Sequence, residues 1–198
     1  MKMRSGTRSL AVYRLIDLLL FALILAILES LIVRAARIWF ADQLYTVSLV
    51  ASVTAIVMMR WGAVGLLHAI LGGLVFVAAG GGSAEQFLIY TAGNLFAATG
   101  LIMMRIVGKE KITKDGVLTA VYAIVVQVSM QGGRAVIAIL CGETARNCLG
   151  FFTTDTLSIV FTFLILWIAR RQDGLLEDQK SWLKRLDEEK KREEQTAV

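Results

Sequence analysis

Gln127, Gln131 and Arg134 stand inside an otherwise apolar run, residues 117–140. Their i, i+4, i+7 spacing places two amides and a guanidinium on one face of a helix. The amides supply donors and acceptors for polar recognition. The planar guanidinium fork suits bidentate contact with a carboxylate, a phosphate or a set of carbonyls. Gly132 and Gly133 beside them permit close approach of a backbone or a ligand. Such groups are expensive within a membrane span and face a bundle interior or a water-filled cavity. The stretch therefore reads as one wall of a pocket for a polar ligand, with the arginine suited to an anionic one.

Other polar residues fall at the same level of the chain. Glu29, Ser30, Arg34 and Arg37 end the first apolar block, followed by Trp39 and Phe40, and Gln43 and Tyr45 open the second. Gln86, Tyr90 and Asn94 lie four apart, with Thr91 beside them, and Asn147, Thr153, Thr154 and Asp155 open the last block. Each has a plainer reading. Arg134 either meets a ligand or is neutralised by Glu29 or Asp155 as a structural pair. Asn94 either touches a ligand or joins helices, as interhelical amides often do. Arg34 and Arg37 either line the site or snorkel to the interface. Trp39, Phe40 and Tyr45 fit an aromatic belt. The opposite half offers Arg14 and Asp17, spaced for an i, i+3 ion pair, and His68, which fits a packed helix interface better than a ligand site.

These residues need a scaffold. The chain has 198 residues, 57% of them hydrophobic, with a mean hydropathy of +0.66. That composition, gathered in long blocks, is that of a polytopic membrane protein. The fold class expected is an all-α membrane protein: a six-helix transmembrane bundle with spans at 10–33, 44–60, 62–80, 86–107, 117–140 and 149–169. The second span is short against the roughly 20 residues a bilayer core needs, and Arg60–Trp61–Gly62 joins it tightly to the third as a helical hairpin. The first block is too long for the apolar core of a cleavable signal. There is no proline, so any break in a helix falls to glycine, such as Gly72–Gly73 or Gly132–Gly133.

Orientation follows the positive-inside rule. An N-terminus on the cytoplasmic side places 11 Lys and Arg residues on the cytoplasmic flanks (Lys2, Arg4, Arg8, Arg14, Arg60, Arg105, Lys109, Lys111, Lys114, Arg170 and Arg171). It leaves 3, Arg34, Arg37 and Arg146, outside. Both termini are then cytoplasmic and the polar cluster lies in the outer half. The transmembrane domain covers 1–171, and 172–198 form a charged tail. Within it, positions 175, 179, 182, 183 and 186 share one helical face, which fits an amphipathic helix on the membrane surface or a partner. The basic residues lie between spans, so the net charge of +5 argues for no nucleic-acid partner.

Cys141 and Cys148 bracket an outer loop and either close a disulfide there or remain thiols. No further Cys accompanies them, so no metal site is expected. One His, and no HExxH, GxSxG or Walker A motif, leave no catalytic constellation and call for no cofactor.

Together these features resemble the substrate-binding S-components of energy-coupling factor (ECF) vitamin transporters, prokaryotic membrane proteins of six helices with cytoplasmic termini. Ala22-Leu23-Ile24-Leu25-Ala26 is similar to the AxxxA pattern of that family's first helix, and Met58-Met59-Arg60-Trp61-Gly62-Ala63-Val64-Gly65 with Gly72–Gly73 to its glycine-rich connection. The resemblance implies that Ala22 and Ala26 dock on a transmembrane coupling subunit and that ATPase subunits act elsewhere. It also implies that a vitamin-like small molecule binds among Gln127, Gln131, Arg134, Asn94 and Asp155, under a lid at 34–43. Tyr90, Glu29, Arg34 and Arg37 complete the candidate site. The expected function is a substrate-capture subunit in the prokaryotic cell membrane. The alternative is an envelope scaffold or assembly protein whose polar cluster packs internally.

Overall fold

The structure is a computed structural model that describes residues 4–39 and 47–196. Among the described residues every regular element is helical: α1 (Arg4–Trp39), α2 (Val50–Trp61), α3 (Leu66–Gly80), α4 (Ala84–Asn94), α5 (Thr99–Val107), α6 (Lys109–Lys114), α7 (Gly116–Leu140), α8 (Ala145–Cys148), α9 (Gly150–Thr153), α10 (Thr156–Ala169) and α11 (Gln179–Thr196). Short 3-10 turns, Gly62–Gly65 and Leu95–Ala98, join α2 to α3 and α4 to α5. Among the described residues five helical stretches are long and apolar enough to cross a membrane: Leu10–Trp39, Val50–Gly80, Ala84–Val107, Gly116–Leu140 and Ala145–Ala169. The chain is a helical membrane bundle.

The five stretches differ from the six expected spans at Val50–Gly80, which folds back on itself. Gly62 takes a left-handed φ of 67° that an L side chain rarely adopts. A Cβ on Gly65 would lie 2.5 Å from the Met58 backbone nitrogen, and one on Gly72 would meet the Val50 side chain. Residue 65 thus lies by 58 and 72 by 50, so α2 and α3 pack antiparallel as a tight hairpin. The expected second span began at 44; residues 47–49 are not helical and α2 begins at Val50. Twelve residues make about 18 Å of helix, short of the roughly 30 Å hydrocarbon thickness.

All twelve residues of α2 are buried. The helix touches α1, α3, α5, α7 and α10, so protein rather than lipid surrounds its ends. That is the setting in which a short helix is tolerated at membrane depth. Around it, α7 is the hub, packed on α4, α6, α10 and α2. Its most apolar window is 44% buried, whereas that of α1 is 17% buried. From Leu10 to Trp39 of α1 only a narrow stripe, Leu25, Glu29 and Val33, is buried, and Leu15, Ile16, Leu19, Leu23 and Leu31 face outward. Lipid accepts such residues at no cost, so helix association rests on close packing and polar contacts.

One end of the bundle is fastened by Arg60. It donates from Nη2 and Nε to Asp17 at 2.7 and 2.9 Å, and from Nη1 to the Gly174 and Leu175 carbonyls at 3.0 and 3.1 Å. Trp61 Nε1 donates to the same Asp17 carboxylate at 2.6 Å. The expected Arg14–Asp17 pair is therefore corrected: Asp17 faces inward to Arg60, and Arg14 lies over the Trp61 ring at 5.8 Å. In the tail, Leu176 and Gln179 are buried, Gln179 donates to the Gly174 carbonyl and accepts from Tyr13, and α11 begins at Gln179, so position 175 of the expected helical face precedes the helix. His68 is buried between α1 and α3, with Nε2 3.1 Å from the Leu18 carbonyl.

Candidate functional site

The fastening of the Arg60 end has a counterpart where α7 crosses α4. A Cβ on Gly93 would lie 2.6 Å from the Arg134 backbone, and one on Gly133 would strike the Gly93 carbonyl oxygen and the Phe96 side chain. The two backbones touch here, and only glycine permits it. Of the Gly132–Gly133 pair, Gly133 makes the close approach; a Cβ on Gly132 would meet open space. The crossing sets Asn94 of α4 beside Arg134 of α7.

The last stretch breaks at Thr154–Asp155, between α9 and α10. The break turns the Asp155 carboxylate into the bundle, where it is 4% exposed. It accepts from Gln127 Nε2 at 3.1 Å, from Gln131 Nε2, and from Ser158 Oγ one turn along. Arg134 Nη1 lies 3.4 Å from Asp155 and donates to Gln131 Oε1 at 3.0 Å, while Nε donates to Asn94 Oδ1 at 2.7 Å. Asn94 Nδ2 in turn donates to the Ala69 carbonyl at 2.9 Å. The guanidinium also lies over the Tyr90 ring at 4.6 Å, which stacks on Phe76 at 4.7 Å. Arg134 thus meets carboxylate, two amides and an aromatic face within the protein.

The network continues to the start of α2. Thr162 links Gln127 to Ser52, at 3.3 and 3.2 Å, and the Ser48 amide donates to Ser158 Oγ at 2.9 Å. The Val50 amide donates to Ser48 Oγ at 3.2 Å and the Leu49 amide to Glu29 Oε2 at 2.8 Å. These acceptors satisfy amides that a helix N-terminus leaves without intrahelical partners, and the negative carboxylate suits its dipole. The other oxygen of Glu29, Oε1, is buried with no hydrogen-bond partner among the described residues, as is Thr54 Oγ1.

The structure therefore brings Glu29, Asn94, Gln127, Gln131, Arg134 and Asp155, with the half-buried Tyr90, into one neighbourhood from α1, α4, α7 and the break before α10. It leaves Arg34 and Arg37 exposed at the end of α1, outside that network. Phe40, Gln43, Tyr45 and the 40–43 part of the expected lid lie outside the described residues. Gln86 is exposed and forms a capping box with Ser83 instead of extending the Tyr90–Asn94 face inward. Asn147 is exposed near the start of α8, its amide accepted by Thr144 Oγ1. Ala22 and Ala26 are half-buried beside the inward stripe of α1. Cys141 and Cys148 are free thiols, Cys148 buried, so the disulfide alternative is not the arrangement seen. No group of three or more His, Cys, Asp or Glu able to hold a metal ion occurs among the described residues.

Comparisons with protein-family models, curated proteins and solved structures give no match. The residues themselves carry the functional argument. Sequence reasoning missed Ser48, Ser52, Ser158 and Thr162. A signal for two of them existed, since Asp155, Ser158 and Thr162 follow i, i+3, i+7 and share a face.

Proposed function

We propose that the chain is a membrane-embedded substrate-capture subunit of the ECF S-component type, crossing the membrane six times with both termini in the cytoplasm. Its α2–α3 hairpin supplies the sixth pass. The polar network lies in the outer half under this orientation and receives a small vitamin-like molecule. ATPase and coupling subunits supply the driving force, with Ala22 and Ala26 at the docking edge.

One observation carries the reading. A buried polar network, contributed by α1, the start of α2, α4, α7 and α10, ends on the Glu29 carboxylate, whose Oε1 has no hydrogen-bond partner among the described residues. A buried acceptor without a partner is unfavourable by about 1–3 kcal/mol, and a ligand N–H recovers that. The same geometry supports a ligand chemistry different from the anionic one expected. Arg134 is already engaged by Asp155, Gln131 and Asn94, so it orients the wall, and the open contact belongs to Glu29. The favoured ligand presents an N–H donor or a cationic group there.

Ligand binding to the purified chain tests the site. Gln131→Ala and Arg134→Ala are expected to weaken the affinity for the ligand identified, and unchanged affinity in both rejects the assignment. Glu29→Gln is the gentler variant, because its amide oxygen still accepts from Leu49. The scaffold alternative draws on the internal pairing of Arg134. It expects no small-molecule ligand and no binding change in any of these variants.

A further inference from the structure

The end of the bundle fastened by Arg60 carries a second feature, unrelated to the outer network. A cleft of about 600 Å³ opens between α6 and the chain from Arg170 to Arg185, a volume within the range of small-ligand sites. Its charges form pairs. Lys109 meets Asp178 at 2.8 Å, Lys114 meets Glu110 at 2.6 Å, and Arg185 meets Glu177 at 2.7 Å. Each carboxylate lining the cleft is thereby matched to one cation. Arg170 and Arg171 line the same cleft, and neither pairs with a carboxylate among the described residues. Both lie over one ring, Trp167, at 4.4 and 5.8 Å. Nη1 of Arg170 is buried and has no hydrogen-bond partner.

Two like charges held side by side repel each other, and a buried N–H of a cation without an acceptor is unfavourable. A phosphate group relieves both, since it accepts several hydrogen bonds and matches the guanidinium fork. The location favours a particular carrier. Trp167 belongs to the last turns of α10, where Leu164 and Ile168 are exposed apolar residues, so the cleft opens at the edge of the lipid-facing belt. Tryptophan prefers that headgroup level.

We propose that this cleft binds the phosphate of an anionic membrane lipid, with Arg170 and Arg171 as its ligands and Trp167 as the shelf that holds both arginines. Two net positive charges favour phosphatidylglycerol over phosphatidylcholine, whose choline cancels the phosphate charge.

The test uses the full chain in nanodiscs of equal phosphatidylglycerol and phosphatidylcholine, with retained lipid read by native mass spectrometry. The wild type is expected to retain phosphatidylglycerol preferentially. R170Q/R171Q is expected to lose that preference by roughly tenfold, and Arg146→Gln, on the exposed α8, is expected to keep it. A parallel titration of inorganic phosphate in detergent separates the sources. Saturable phosphate binding lost in R170Q/R171Q, without lipid preference, assigns the same site to a soluble phosphate and overturns the lipid. No preference in the wild type and no phosphate binding overturns the site. An equal loss in Arg146→Gln shows diffuse charge attraction and overturns it as well.

Discussion

The two ends of this bundle each bury an arginine beside an aspartate, and they use the pair differently. At one end Arg60 grips both oxygens of Asp17 at 2.7 and 2.9 Å and spends its remaining donor on two tail carbonyls. At the other, Arg134 stands 3.4 Å from Asp155, in a mesh of side-chain amides and hydroxyls, and the buried Oε1 of Glu29 has no hydrogen-bond partner among the described residues. The first arrangement ties three separate segments of chain together with fixed backbone acceptors. The second is built from side chains that can exchange partners. A buried ion pair is therefore not a signature of either stability or function. What distinguishes the two ends is the nature of the other partners: backbone carbonyls at Arg60, side-chain amides at Arg134.

The largest effect is expected from Arg60→Ala. It leaves the Asp17 carboxylate and two tail carbonyls without their donor, a loss of about 3–5 kcal/mol for a broken buried pair. A thermal shift of the purified chain measures it, and tail release reads out as faster proteolysis within 172–196. A midpoint close to wild type would remove the distinction between the two ends.

Next comes Gly133→Ala. The added methyl meets the Gly93 carbonyl and Phe96, where backbone cannot give way, and overpacking of this kind costs about 1–3 kcal/mol. Because the Gly93–Gly133 crossing also sets Arg134 against Asn94, this variant is expected to lower ligand affinity along with stability. Gly132→Ala, on the same turn but facing open space, serves as its control and should leave both near wild type.

Much of this was legible beforehand. The face shared by Gln127, Gln131 and Arg134 was set by helical spacing alone, and burying a polar face requires other polar faces to meet it. Asn94, Asp155 and Glu29 were natural partners for that reason. What stayed hidden depends on distance in sequence. Asp17 and Arg60 are separated by 43 residues, whereas Arg14 offered a local partner that the helix turns elsewhere. Ser52 was hidden because small hydroxyls are common in apolar helices, where they bond their own backbone, and Ser48 because the expected second span ran through it although it precedes α2. The shortness of α2 was visible, but the burial of all twelve of its residues follows only from the packing of the helices around it.

The smallest effect expected concerns pH. Burial pushes the Asp178 carboxyl up, but the Lys109 ammonium and the Ser181 and Lys180 amides outweigh it and hold the group below its ordinary 3.8. A lowered value in the folded state means the contact contributes above 3.8 and is lost as pH falls through the lower folded value. Both side chains are about one-third exposed, 30% and 36%, so the contribution is small. Trp182 fluorescence should report a slight loosening of the tail only in that acid range. A change centred near neutrality would assign the tail's attachment to another group.

We propose that the network around Glu29 and Arg134 is a ligand site and the Arg60 end is not. The most direct test is mass spectrometry of small molecules released by denaturing the chain purified from its membrane, wild type against Glu29→Gln. The expected result is a small polar molecule bearing an N–H donor or cationic group, near stoichiometric in the wild type and lost from a Glu29→Gln variant that melts within about 1 kcal/mol of wild type. Absence of any such molecule from the wild type, or equal amounts in both, would contradict it.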